Sequence, residues 1–190
     1  MNTGQHRWVL SGGLASGKSK VRELLASAGV FTVDADRIGH DVLDRGGAAF
    51  GEVADRWPQA VIEGGIDRPM LASIVFRDQG ELAALESITH PHIFDTIKRE
   101  VEEVDGPVVV EVPLLGHSLG RAWRRLVVDC RDATRVKRAI ARGMSESDVR
   151  SRMSVQPSRS EWLGAADLVL PNHGSLETLG EAVSVVLEHL

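Results

Sequence analysis

Gly12-Gly13-Leu14-Ala15-Ser16-Gly17-Lys18-Ser19 fits the pattern G-x-x-x-x-G-K-[ST], and few eight-residue stretches restrict a fold so tightly. The apolar run from Trp8 to Ser11 before it reads as a buried strand feeding a glycine turn. After it, Val21, Leu24, Leu25 and Ala28 fall on one helix face, with Gly29 as the stop. A strand before and a helix after separate this pattern from a chance glycine turn. Such a loop curls so that backbone N–H groups point inward at phosphate oxygens, and the helix behind it offers the positive end of its dipole. Gly13, Ala15, Ser16 and Gly17 then line the cradle, Lys18 can reach the β- and γ-phosphates of a nucleotide, and the Ser19 hydroxyl can ligate Mg²⁺.

The rest of the chain alternates strands with helices. Phe31 to Val33 reads as a second strand, Val108 to Val112 and Leu126 to Cys130 as buried parallel strands, and Leu168 to Leu170 as the last. Helices fall around Ile38 to Leu43, over Ala133 to Arg142 and over Ser175 to Leu190, and Ser145 and Ser158 stand as N-caps. Between Ala48 and Asp105 no strong strand is legible. Four helices are: around Val53 to Trp57, around Leu71 to Val75, over Leu82 to Ile88, and one opened by Pro91. The pattern predicts an α/β fold with a mainly parallel sheet covered by helices on both faces, and chemistry at the carboxyl ends of its strands.

Composition narrows the classes. Net charge is −5 without a basic block, so a polymer of nucleic acid is not the expected partner. No apolar stretch reaches the length of a membrane span, and the polar start is no signal peptide. A single cysteine, Cys130, suits a reducing compartment, so the expected location is cytoplasmic. None of the four lysines sits in the base-reading motif of a GTPase, and G-x-G-x-x-G, the dinucleotide fingerprint, is missing.

Asp34-Ala35-Asp36 follows the second strand. A right-handed crossover brings Asp34 to the same sheet edge as the phosphate loop. A carboxylate there can take the proton of an attacking hydroxyl, which makes Asp34 the candidate base. Asp36 holds the acceptor or the metal shell, or else both aspartates cap the next helix. Glu111, near the end of its strand, is either an outer Mg²⁺ group or the partner of a lysine or arginine.

With these residues in place the chain resembles the dephospho-coenzyme A kinase family. The matching segments are Ser11-Gly12-Gly13 with Ser16-Gly17-Lys18-Ser19, Val33-Asp34-Ala35-Asp36, Ile88-Thr89-His90-Pro91, Val112-Pro113-Leu114-Leu115, and Gln156-Pro157-Ser158 with Ala166-Asp167 and Asn172-His173-Gly174. The resemblance implies a three-layer P-loop kinase fold: a five-stranded parallel core, a helical acceptor-binding insertion and a lid. It implies transfer of phosphate from ATP, with Mg²⁺, to the ribose 3′-hydroxyl of a nucleotide-like acceptor, dephospho-CoA. Carried over, the core covers 7–45, 106–138 and 166–190, the insertion about 46–105 and the lid about 139–165. Lys18 and Asp34 would be catalytic together with Arg142. Arg138 and Arg142 would meet the transferring phosphoryl group at the lid, or else form a solvated helix face. Lys20 would stand beside the α-phosphate and Asn172 near the adenine, unless Asn172 only closes a turn. Asp36, His90, Pro91, Pro113 and Leu114 would serve the acceptor, although a proline can also simply open a helix or end a strand.

Three places depart from the pattern the resemblance implies: Ala15 stands where a second glycine is usual or an alanine is tolerated nearby, Lys20 stands where a threonine is usual, and Gly116-His117 follows Leu115 where a large apolar residue and a glutamate are common; the last two bear on the substrate. They leave open a relative acting on a ribose hydroxyl of another nucleotide. A non-catalytic nucleotide-binding regulator is the third reading, against which the joint presence of Lys18, Ser19 and Asp34 speaks.

Overall fold

The computed structural model describes residues 6–112, 119–120 and 122–190. Pro113, Leu114 and the Gly116-His117 departure therefore lie outside the described residues. In chain order the elements are β1 (Arg7–Ser11), α1 (Lys18–Ser27), β2 (Phe31–Asp34), α2 (Ala35–Asp41), α3 (Phe50–Arg56), β3 (Val61–Ile62), β4 (Gly65–Ile66), α4 (Arg68–Val75), α5 (Gln79–Glu102), β5 (Val108–Glu111), β6 (Arg124–Asp129), α6 (Asp132–Ala141), α7 (Glu146–Ser154), α8 (Arg159–Gly164), β7 (Leu168–Pro171) and α9 (Leu176–Leu187). They divide into two compact units, Met1–Asp34 with Val104–Leu190, and Ala35–Glu103.

The first unit is built on a five-stranded parallel sheet of order β2-β5-β1-β6-β7. β5 is buried along its whole length and β6 over its last four residues, which is why both read as nearly continuous apolar runs. One sheet face packs Trp8, Leu10, Val109, Leu126, Val128 and Leu170 against Val21 and Leu25 of α1 and Leu179, Val183 and Val186 of α9. Complete burial of each such side chain is worth about 1.5–3 kcal/mol, so this layer fixes where α1 begins. α8 lies on β6 and buries Trp162.

Register places the chemistry. Asp34 pairs with Glu111 across β2 and β5, and Glu111 with Leu10 across β5 and β1. The carboxyl ends of these strands are therefore level, and the loop after β1 opens on the same edge. Ser145 and Ser158 cap α7 and α8 as expected, Ser158 in a capping box with Glu161.

The second unit corrects part of the sequence reading. The helices expected over Leu82 to Ile88 and from Pro91 are one 24-residue helix, α5, with Pro91 inside it. Proline forfeits one backbone bond there. The continuous helix nevertheless buries Thr89, Ile97 and Val101 and packs against α2 and α4, which outweighs one missing bond. It begins at Asp78, whose carboxylate accepts from the N–H groups of Gly80 and Glu81. The stretch also holds a small hairpin, β3–β4, turned by Glu63 at φ 50° and Gly64 at φ 76°. Strands of two residues carry no legible alternation.

Candidate active site

The loop between β1 and α1 is shaped by its own backbone and by two side chains that glycine admits. Ser16 N–H donates to the Gly13 carbonyl at 3.1 Å, and Lys18 Nζ donates to the Gly12 carbonyl at 2.9 Å. Gly17, at φ 104°, caps α1, and no side chain closes that helix end. Its first N–H groups are thus directed at whatever the loop encloses. Ala15 sits at φ 56°, a left-handed conformation that an alanine adopts only under strain and a glycine adopts freely.

A Cβ on Gly13 would collide with the Arg135 guanidinium, and one on Gly17 with the Asn172 amide. Both glycines are therefore required for close approach. Asn172, only 5% exposed, donates from Nδ2 to the Ser16 carbonyl at 2.7 Å. It accepts at Oδ1 from Arg138 Nη2 at 3.1 Å. Arg138 also lies 3.4 Å from the Ser16 carbonyl through Nη1. Asn172 thus uses both ends of its amide to brace the loop, and Arg138 belongs to the same brace. Arg142, at the C-cap of α6, is exposed.

On the other side of the loop, a polar chain runs from α1 to β2. Ser19 Oγ donates to Glu111 Oε1 at 3.1 Å. Arg22 donates through Nε to Glu111 Oε2 at 2.8 Å and through Nη2 to Asp34 Oδ2 at 2.9 Å. Burial works against the charge on Arg22. Its hydrogen bond to Glu111 and the charges of Asp34 and Glu111 outweigh this and raise its pKa. Glu111 is thus at once the arginine's partner and the hydroxyl's, and of the two alternatives left open by sequence the structure realises the pairing with an arginine. Asp34 and Lys18 stand on one sheet edge, linked through Glu111, Ser19 and Arg22.

Of the remaining candidates, Lys20 pairs with Glu23 at 2.9 Å on the exposed face of α1 and brings no ammonium into the loop. In the second unit, Asp36 is exposed in the first turn of α2, where a carboxylate suits the helix dipole. His90 is half-buried in α5, its ring tilted against Phe94 at 5.7 Å, and Pro91 beside it is exposed.

Three contributors escaped the sequence reading. Arg22 lies three residues beyond Ser19, and that spacing on a helix was the available signal. Arg135, 4% exposed, donates from Nε to the Leu14 carbonyl at 2.8 Å. Asp129, at the end of β6, accepts both arms of Arg159 at 2.7 Å each and lies 3.3 Å from His173 Nε2. The Arg159 hydrogen bonds hold the Asp129 carboxyl below its ordinary range, against the opposing effect of burial. Nothing local marks Arg135 or Arg159 as more than surface charge.

Among the described residues no cluster of three or more His, Cys, Asp or Glu gathers as a metal cage. The donors present are the Ser19 hydroxyl and the Glu111 carboxylate. These hard oxygens fit Mg²⁺, which binds through one or two protein groups plus substrate phosphates.

A parallel five-stranded sheet, a lysine-bearing phosphate loop after its central strand and a carboxylate at the next strand end define a P-loop kinase. A shikimate kinase from Bacteroides thetaiotaomicron has the same fold, with a TM-score of 0.55 at 13% identity over 96% of each chain. The chain itself belongs to the dephospho-CoA kinase family, whose model matches residues 8–178. The dephospho-CoA kinase of Nitrosospira multiformis is 38% identical over 181 residues, 92% of this chain and 90% of that protein. That of Thermobifida fusca is 37% identical over 188 residues, 95% and 94% of the two chains. A Thermus thermophilus crystal structure superposes with a TM-score of 0.85 at 35% identity, covering 97% of this chain and 98% of that one. The dephospho-CoA kinase from Campylobacter jejuni gives 0.73 at 26%, covering 96% of each. The chain is therefore an ATP-dependent kinase.

Proposed function

We propose that this chain transfers the γ-phosphate of ATP to the ribose 3′-hydroxyl of dephospho-CoA, giving CoA and ADP, with Asp34 taking the hydroxyl proton. The observation that carries this is the contact chain Lys18–Ser19–Glu111–Arg22–Asp34, which ties the candidate base to the phosphate loop. Lys18 and the loop N–H groups hold the β- and γ-phosphates. Ser19, with Glu111 behind it, would hold Mg²⁺, which when bound neutralises phosphate charge. Arg22 fixes the Asp34 carboxylate through Oδ2.

Arg138 braces the loop, and Arg142 reaches the transferring phosphoryl group from the segment 139–165, which acts as lid. Asp36, His90 and Pro91, all on the helical unit Ala35–Glu103, serve the acceptor. Among the described residues no helix is long and apolar enough to cross a membrane. The single cysteine, Cys130, buried just past β6, suits work in the reducing cytoplasm. Lys20, tied to Glu23, gives no ground for a different acceptor.

A coupled ADP-release assay with dephospho-CoA, adenosine and other nucleotides as acceptors tests this reading. Turnover with dephospho-CoA and loss of that turnover in Arg142→Ala are expected. Turnover only with another nucleotide would overturn the acceptor assignment.

A further inference from the structure

The Leu14 peptide groups are held by side chains far away in sequence. Leu14 N–H donates to Gln156 Oε1 at 2.8 Å, and the Leu14 carbonyl accepts from Arg135 Nε at 2.8 Å. The same Gln156 oxygen also accepts from Arg135 Nη2 at 3.2 Å, and Arg135 is completed by Asp132 Oδ1 at 2.9 Å. One carbonyl oxygen therefore joins the tip of the phosphate loop to α6 and to the turn between α7 and α8.

That turn is itself held. Arg159, the first residue of α8, grips buried Asp129 at the end of β6 with both arms. The Ser158–Glu161 capping box closes the start of α8 two residues after Gln156. Ala15 follows Leu14 in a left-handed conformation, so a change in the Leu14 peptide would re-aim the next amides of the loop.

We propose that Gln156 is a positioning residue for the phosphate loop: its side-chain oxygen sets the loop's phosphate-binding shape and couples it to the α7–α8 segment. This rests on the reading that the loop binds the phosphates of ATP. Both donors converge on one oxygen, so the requirement is for an acceptor at that reach and not for an amide. Coupling of this kind is reciprocal: nucleotide in the loop must also steady the segment.

The test compares the unaltered chain with Gln156→Met, Gln156→Asn and Gln156→Glu. Met removes the acceptor at similar length, Asn withdraws it, and Glu retains it. Removing the acceptor leaves two donors poorly paired, so the KM for ATP should rise roughly tenfold or more in Gln156→Met and Gln156→Asn. The KM for dephospho-CoA should stay within about threefold, as only the ATP-side contact is lost. Gln156→Glu should recover most of the loss. ADP should slow amide exchange across 144–158 in the unaltered chain and in Gln156→Glu, and fail to do so in Gln156→Met. Equal rises in both KM values, or a Gln156→Glu variant as impaired as Gln156→Met, would overturn the proposal. An unaltered chain that does not bind ADP would instead overturn the phosphate-loop reading and this inference with it.

Discussion

Arg22 Nη2 lies 2.9 Å from Asp34 Oδ2, so the candidate base is held by a guanidinium three residues beyond the phosphate loop's own hydroxyl, Ser19. The same guanidinium contacts Glu111 at 2.8 Å through Nε. It offers a different N–H of one rigid plane to each carboxylate, which a lysine ammonium cannot reproduce. Without it two carboxylates on adjacent strands would confront each other.

Arg22→Met should therefore lower both activity and stability. The expected fall in kcat is roughly tenfold, through a misplaced Asp34, with unfolding stability down by about 1–2 kcal/mol since the pair is partly exposed. Arg22→Lys should restore charge without restoring kcat. Urea unfolding and steady-state kinetics check both; a fully active Arg22→Lys would show that charge alone suffices.

Gly13→Ala should disable the loop by displacing Arg135 from the space it fills beside residue 13. ATP affinity should fall by on the order of tenfold or more, since the Leu14 carbonyl loses its buried donor. Adding Arg135→Ala makes room for the methyl group, so the double variant should be more stable than the sum of its parts. Thermal shift with ADP measures both effects.

Asn172→Ala should leave the Ser16 carbonyl and Arg138 short of a partner. Losing a buried amide of this kind costs about 1–3 kcal/mol. Asn172→Asp should be worse, because it sets an oxygen against the Ser16 carbonyl where Nδ2 now donates. The readouts are melting temperature and the KM for ATP; an Asp variant equal to the unaltered chain would contradict the brace.

The Asp129–Arg159 pair predicts a pH dependence. The folded carboxyl titrates below its ordinary value because Arg159 hydrogen-bonds it. Its stabilisation is therefore fully present above the ordinary carboxylate pKa of about 3.9 and is lost as pH falls below that, toward the lowered folded value. The melting temperature of Asp129→Asn should lie below that of the unaltered chain at neutral pH. The gap should narrow as pH falls below about 4. A constant gap would show that the pair acts by shape alone.

The phosphate loop, the parallel sheet, Asp34 and the Ser145 and Ser158 caps were legible because each is a local signal: a spacing, a run or a cap. The contacts of Arg135 and Gln156 with Leu14 were not, although Gln156 stood in a matching segment, because they span 121 and 142 residues and no periodicity encodes such a meeting. Pro91 misled because a proline inside a helix has the same local look as one at its start. Packing of α5 against α2 and α4 decided between them. Asn172 was legible as a residue just past the last strand, but its bond to Ser16 was visible only in the fold.

As the base, Asp34 would take the proton from the acceptor while the loop holds ATP. Steady-state kinetics of Asp34→Asn with dephospho-CoA, beside ADP binding by the same protein, tests it most directly. The expected result is a kcat lower by on the order of a hundredfold or more with ADP affinity unchanged. An unaltered kcat would contradict it.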